Sequence, residues 1–352
     1  MVKNVRGHVG ESQRLAKEDI RQRREAEGQS NTLLSKKDLQ GEWDASRVLH
    51  TTLNGQLRQL NKHDLDAFRK NMQTAQREFK GGGITPRQVL DHAASKPLKY
   101  RNPLKENAIS DLDKAKRQIR NAIIASARGN QLRIVTSSSE KSKVNQHYVT
   151  VRLNAMDDAI RQLATVPAGD DRAIRKIARW LVKQKVAFDC DCERHRYFFR
   201  YVATIGGYNA GRPETAYPKI TNPGLKGVAC MHVIRAMNEL DSSGVALGFI
   251  ERLLRKIHAS ENNRGTLKIT EAEAKKQIKA RKRAIKTSDD RKADARRRRE
   301  LESRKRALRD TPRLSGRQPA ATRKYKKALE SGQLTTDDLI ALLVKNNINP
   351  EG

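Results

Sequence analysis

The stretch FDCDCERHRYFF, residues 188–199, carries two of the chain's three cysteines, and the third stands in KGVACMHVIRAM, residues 226–237, two positions before His232. In an extended segment residues two apart project to the same side, so Cys190 and Cys192 present both sulfurs to one point. On a regular helix Cys230 and His232 would stand about 200° apart. They converge instead where a loop bends into its first helical turn, and Gly227 supplies the freedom for that bend. The four form a Cys3His set whose sulfur and imidazole donors suit tetrahedral Zn2+ in a closed structural site. His195 is the alternative fourth donor, at the cost of leaving Cys230 without a paired neighbour. A nucleophile pair of Cys230 and His232 lacks a readable third group or oxyanion feature.

Outward from the cysteines, Tyr197, Phe199, Tyr201, Ala203 and Ile205 alternate with Arg196, Phe198, Arg200, Val202 and Thr204, which predicts a half-buried strand. The Gly- and Pro-rich residues 206–227 predict an ordered loop, followed by helices near 229–239 and 243–258. Upstream, LRIV (132–135) and HYVTVRL (147–153) read as strands joined by a polar connection. Asp170 or Asp171 caps a helix whose Ile174, Ile177, Ala178 and Leu181 point one way, while Arg172, Arg175, Lys176, Arg179 and Lys183 form a basic stripe. Leu112, Ala115, Ile119, Ala122 and Ile123 have helical spacing. So do the apolar residues from 35 to 79, with a break near Asn61, and Thr85, Pro86 and Gln88 mark a further helix start.

Composition bounds the rest. Apolar residues make up 36% of the 352 and charged ones 32%, so a core exists that does not cover the whole chain. Lys plus Arg number 73 against 40 Asp plus Glu, and a formal charge of +33 calls for a polyanion, nucleic acid first. No apolar run approaches the roughly 20 residues of a membrane span, and the first residues lack a secretory leader's apolar segment. Three cysteines without an export signal argue against a disulfide framework. The expected class is α+β: mainly helical, with a small hairpin and strand zinc-finger core and a long basic, partly disordered C-terminal segment. The expected divisions are a basic polar arm (1–34), a helical region (35–105), an α+β core (106–258) holding the finger (186–240), a basic tail (259–330) and a short amphipathic helix (331–352) that Thr335 or Thr336 starts.

Residues 251–330 hold 28 Lys and Arg against 11 Asp and Glu. Their Ala, Glu, Lys and Arg content favours helix once a partner screens the charge. Nucleic-acid contacts are expected at Arg281, Lys282, Arg283, Arg291, Lys292, Arg296, Arg297, Arg298, Arg299, Arg304, Lys305 and Arg306, independent of base sequence because no base-reading fold accompanies them. Eight of fifteen aromatic residues fall between 180 and 217. They serve a small core better than a stacking platform for single strands, with Phe198 and Tyr208 as the exceptions to test. No nucleotide loop, paired-carboxylate site or nucleophile elbow is readable, so no enzymatic activity is expected.

The pattern CDC (190–192), a gap, then CMH (230–232) at a helix start resembles the SWIM zinc finger, over roughly residues 130–240. The excursion 193–229 is longer than that family's gap and implies an insertion. The family binds DNA or protein partners, which is what the resemblance implies here. NPGLKGVACMH (222–232) is also similar to segments of tailed-bacteriophage virion proteins. That likeness implies an internal or ejected virion component that contacts packaged DNA and other virion or assembly proteins. The alternative is a cytoplasmic adaptor tethered to nucleic acid, whose finger binds protein.

Overall fold

In the computed structural model the residues described are Glu18, 33–41, 48–79, 82–95, 99–102, 105–140, 142–260, 265–279, 284–310, 327–335 and 337–338. They form an α+β fold, and the chain divides into two compact units, Met1–Ile285 and Lys286–Gly352.

The centre of the first unit is an antiparallel meander. Strands β5 (Ala122–Arg128), β6 (Gln131–Ser137), β7 (Gln146–Leu153) and β8 (Val186–Cys190) pair in sequence order, and β9 (Thr266–Lys268) adds to the β5 edge. Alternation fixes the register, since Val149, Val151 and Leu153 stand opposite Cys190, Phe188 and Val186, all buried on one face. Each such side chain contributes about 1.5–3 kcal/mol relative to exposure. Between β7 and β8 run α5 (Met156–Leu163) and α6 (Asp171–Leu181). Asp170 caps α6, its Oδ1 accepting the N–H groups of Arg172 and Ala173 at 3.1 and 3.0 Å. Across the buried face lie α8 (Met231–Ser242), buried around most of its circumference, and α9 (Gly244–His258), which packs on α6.

Ahead of the sheet come α1 (Lys36–Gln40), a hairpin of β1 (His50–Thr51) and β2 (Arg58–Gln59), α2 (Lys62–Glu78), α3 (Pro86–Ser95), a second hairpin of β3 (Lys99–Asn102) and β4 (Lys105–Ser110), and α4 (Asp111–Arg117). Asn61 and Asp64 close a reciprocal capping box on α2, and Thr85 and Gln88 do the same on α3. The first hairpin interrupts what periodicity reads as helix. Asn54 and Gly55 both take positive φ, 71° and 100°, a turn that an Asn-Gly pair adopts cheaply. The stripe from Leu112 to Ile123 also splits: α4 ends at Arg117, and Ala122–Ile124 open β5 after a turn whose Arg120 and Asn121 N–H groups Ser137 Oγ accepts.

The largest departure lies after the cysteines. Residues His195–Phe199 form a π-helical turn and Arg200–Ile205 continue as α7, where alternation predicts a strand. Phe199, Arg200, Tyr201, Val202 and Ala203 are buried in succession, which a one-sided strand does not allow. The rings alternate in sequence but are covered on both sides, and the wide π turn, with Arg200 N–H reaching back to the His195 carbonyl, accommodates them. Beyond residue 258 the chain still serves this unit, through β9 and then α10 (Glu271–Lys279), whose Glu273 pairs with Arg252 at 2.5 Å.

In the second unit α11 (Ser288–Asp310) begins at a box between Thr287 and Asp290. Ion pairs Lys292–Asp289, Arg304–Glu300 and Lys305–Glu302 run along it at one-turn spacing. Screening that the sequence reading assigns to a partner is thus partly supplied within the helix. Leu339, Leu342 and Leu343 of the expected terminal helix lie outside the described residues, although Thr335 and Asp338 make its starting box. No described helix is long and apolar enough to cross a membrane.

Candidate metal centre

Strand β8 ends at Cys190, and Cys192 stands in the turn before the π-helical segment, so the two sulfurs converge across a strand end and not along a strand. Cys230 is the N-cap of α8, with extended backbone at φ −74° and ψ 165°, and His232 is its second residue. This is the bend that lets a C-x-H pair share a point, and Gly227 takes φ +78° three residues earlier. All four residues are buried, and their ligand atoms lie within 4.8 Å of one another, Cys190 Sγ standing 3.9 Å from His232 Nδ1. Ligand atoms around a tetrahedral ion with Zn-like bond lengths are about 3.6–3.8 Å apart. A contraction of about 1 Å at the widest pair therefore closes the set around an ion.

Electrostatics favour the same reading. Burial pushes the Cys190 and Cys230 thiols well up, whereas hydrogen bonds from those two hold the Cys192 thiol well down. Two thiols directed at a third sulfur favour its thiolate form, and a divalent cation would displace the remaining protons. The three thiols bury readily as small hydrophobes, so the buried His232 imidazole is the costly member of the group without such an ion.

Neighbouring groups hold the donors in place. The His195 N–H donates to Cys192 Sγ at 3.3 Å. Its ring turns away: Nε2 lies 3.1 Å from Asp189 Oδ1, near enough for an ion pair but not aligned as a hydrogen bond. His195 is therefore a support and not the fourth donor. Arg200 Nε and Nη2 also donate to Asp189, at 3.1 and 3.4 Å. Burial alone would raise this carboxyl, and His195 and Arg200 outweigh it and hold it low. Over the His232 ring lies His147, centroids 4.2 Å apart, with its Nδ1 2.8 Å from Asp191 Oδ1. Burial opposes charge on His147, but Asp191 carries its pKa above the ordinary value. Arg194 makes a bidentate pair with Asp111 at the start of α4, at 2.7 and 2.6 Å, and its guanidinium stacks 4.4 Å from the Phe198 ring centre. Spacing reveals the ligands but not these supports; the alternating acids of DCD and the arginines at 194 and 200 are their only trace in sequence.

The excursion between the ligand pairs is the platform for the N-terminal region. Thr51 Oγ1 donates to the Lys219 carbonyl at 2.8 Å, Asn71 Nδ2 to Pro223 O at 3.2 Å and the Tyr217 N–H to Leu34 O at 2.9 Å. Phe68 stacks on Tyr217 at 4.4 Å. The aromatic residues here are core: Phe188, Phe199, Tyr201, Tyr208 and Tyr217 are buried, Phe198 is partly covered, and Tyr197 is the large exposed ring.

Of the expected nucleic-acid contacts, Arg281, Lys282 and Arg283 lie outside the described residues, and the other nine sit on α11. Arg291, Lys292, Arg296–Arg299 and Arg306 are exposed; Arg304 and Lys305 are half-buried in their ion pairs.

No family model, curated protein or solved structure matches the chain.

Proposed function

We propose that this chain is a zinc-stapled protein that binds nucleic acid without sequence selection and has no catalytic role of its own. The observation that carries the reading is the closed Cys3His cluster: four donors, all buried, leaving no position for substrate or reactive water. Zinc is the ion that thiolate and imidazole in a tetrahedral cage favour. The knuckle after β8 and the C-x-H helix start support the SWIM resemblance, with residues 193–229 as its insertion. The charge of +33 and the exposed arginines of α11 support a phosphate partner, probed best as duplex DNA. In this reading the protein is an internal virion component in contact with packaged DNA, a placement that rests on the sequence likeness of residues 222–232.

Three measurements test the layers separately. Elemental analysis of reductant-treated protein should give one equivalent of zinc. Affinity for unrelated DNA duplexes should be similar and fall steeply with salt; no binding at about 50–100 mM salt, where basic surfaces hold phosphate, would refute the nucleic-acid assignment. Mass spectrometry of purified particles should find the chain at fixed stoichiometry, and its confinement to the host cytoplasm would refute the virion placement.

A further inference from the structure

The exposed face of α6 has no role in the metal centre and lies far in sequence from the basic tail. Arg172, Arg175, Lys176 and Arg179 are exposed on the helix, and Lys183 is exposed just past its C-cap, Val182, whose backbone is still helical. At 3.6 residues per turn these five fall within about 100° of arc and extend over about 16 Å, opposite the buried Ile174, Ile177, Ala178 and Leu181. The stripe is nearly free of compensating charge. Asp171 in the first turn is the helix's one acid, and it pairs with Arg255 of α9. Arg175 pairs with Glu251. Among the described residues Arg172, Lys176, Arg179 and Lys183 have no ion-pair partner. On α9 the exposed Arg252, Arg255 and Lys256 extend the positive face beside α6. By contrast, α11 interleaves its cations with Asp289, Asp294, Glu300 and Glu302.

We infer that the α6 face is a second phosphate-binding surface, on the folded first unit, which takes the backbone of duplex nucleic acid independently of the tail. A row of mostly unpaired cations about 16 Å long spans about five nucleotides of one duplex strand, which advances about 3.4 Å per nucleotide along the axis. Unpaired cations also release the most counterion on binding, because no carboxylate competes for them. Half-buried Trp180 stands one turn from Lys176, beside the stripe, so with Trp43 replaced by Phe its emission reports occupancy of this face.

The inference rests on the nucleic-acid reading, and the test separates the two. Full-length protein carrying Lys176→Gln, Arg179→Gln and Lys183→Gln is titrated with a mixed-sequence DNA duplex at several salt concentrations. The control carries Lys62→Gln, Lys70→Gln and Arg77→Gln, exposed positions on α2 that remove the same formal charge. If each α6 cation neutralises one phosphate, the slope of log K against log salt falls by about 2–3 in the α6 variant and stays near wild type in the control. With Trp43→Phe in both proteins, DNA should also shift Trp180 emission in the chain with the native α6 face and not in the α6 variant. A wild type that binds no DNA overturns the nucleic-acid reading itself. Wild-type binding with equal slopes in both variants overturns the α6 assignment alone.

Discussion

Removing Cys230 tests the metal centre most directly. Cys192 and Cys230 bracket residues 193–229, and a cross-link over a loop of that size contributes about 4 kcal/mol by restricting the unfolded chain. At about 2–4 °C per kcal/mol, Cys230→Ser should lower the melting temperature by about 8–16 °C, and chelation of the wild type should do the same. The remaining sulfurs and the buried His232 ring then lie in apolar surroundings without a common partner, which adds to the loss. Differential scanning calorimetry paired with elemental analysis reads both quantities. His195→Ala is the contrast: it should keep its metal, because only the backbone N–H of that residue touches Cys192. Less than about half an equivalent of zinc on folded wild type, or a full equivalent retained by Cys230→Ser, would refute the assignment, since a structural site uses all four ligands.

Arg194→Ala should cost about 3–5 kcal/mol in urea unfolding, since it leaves Asp111, with its side chain 5% exposed, as an unpaired buried charge. Asp111→Asn in the same chain should recover part of that loss. Asp64, held low by Arg58, stabilises the fold fully above the unfolded carboxyl pKa of about 3.9, and that stability drains as pH falls through the lower folded value. Asp64→Asn should therefore flatten the acid limb of a stability-against-pH curve measured by circular dichroism. Chelation should open new protease sites within residues 33–79 before any appear in β5–β7, because the excursion that carries Tyr217, Lys219 and Pro223 loses its tether. Cleavage of both regions at equal rates would contradict that order.

How much was legible in the sequence follows from the reach of each signal. Ligand spacing is local at each end, and only the pairing of the two ends needed the fold, so Cys190, Cys192, Cys230 and His232 could be read directly. Helices with a cap and a clean stripe, such as α3 and α6, were equally readable. Reading failed where periodicity was the only guide. The aromatic alternation from 197 to 205 imitates a strand because rings are needed on both sides of a short helix wedged between β8 and the N-terminal region. The first hairpin depends on two backbone angles at Asn54 and Gly55, which an apolar-spacing search does not sample. Strand β9 joins β5 across more than a hundred residues, a pairing with no local trace.

The docking of α2 on the excursion sets a timetable for synthesis. Asn71 bonds to Pro223, 152 residues later, and Thr51 to Lys219, 168 residues later. At about 5–20 residues per second a ribosome needs roughly 8–30 s to supply those partners. Through that interval Phe68 has no Tyr217 to stack on, and the N-terminal helices wait with an apolar side uncovered. The α1–α2 region is thus completed only after His232 has left the ribosome and the loop before it can be closed.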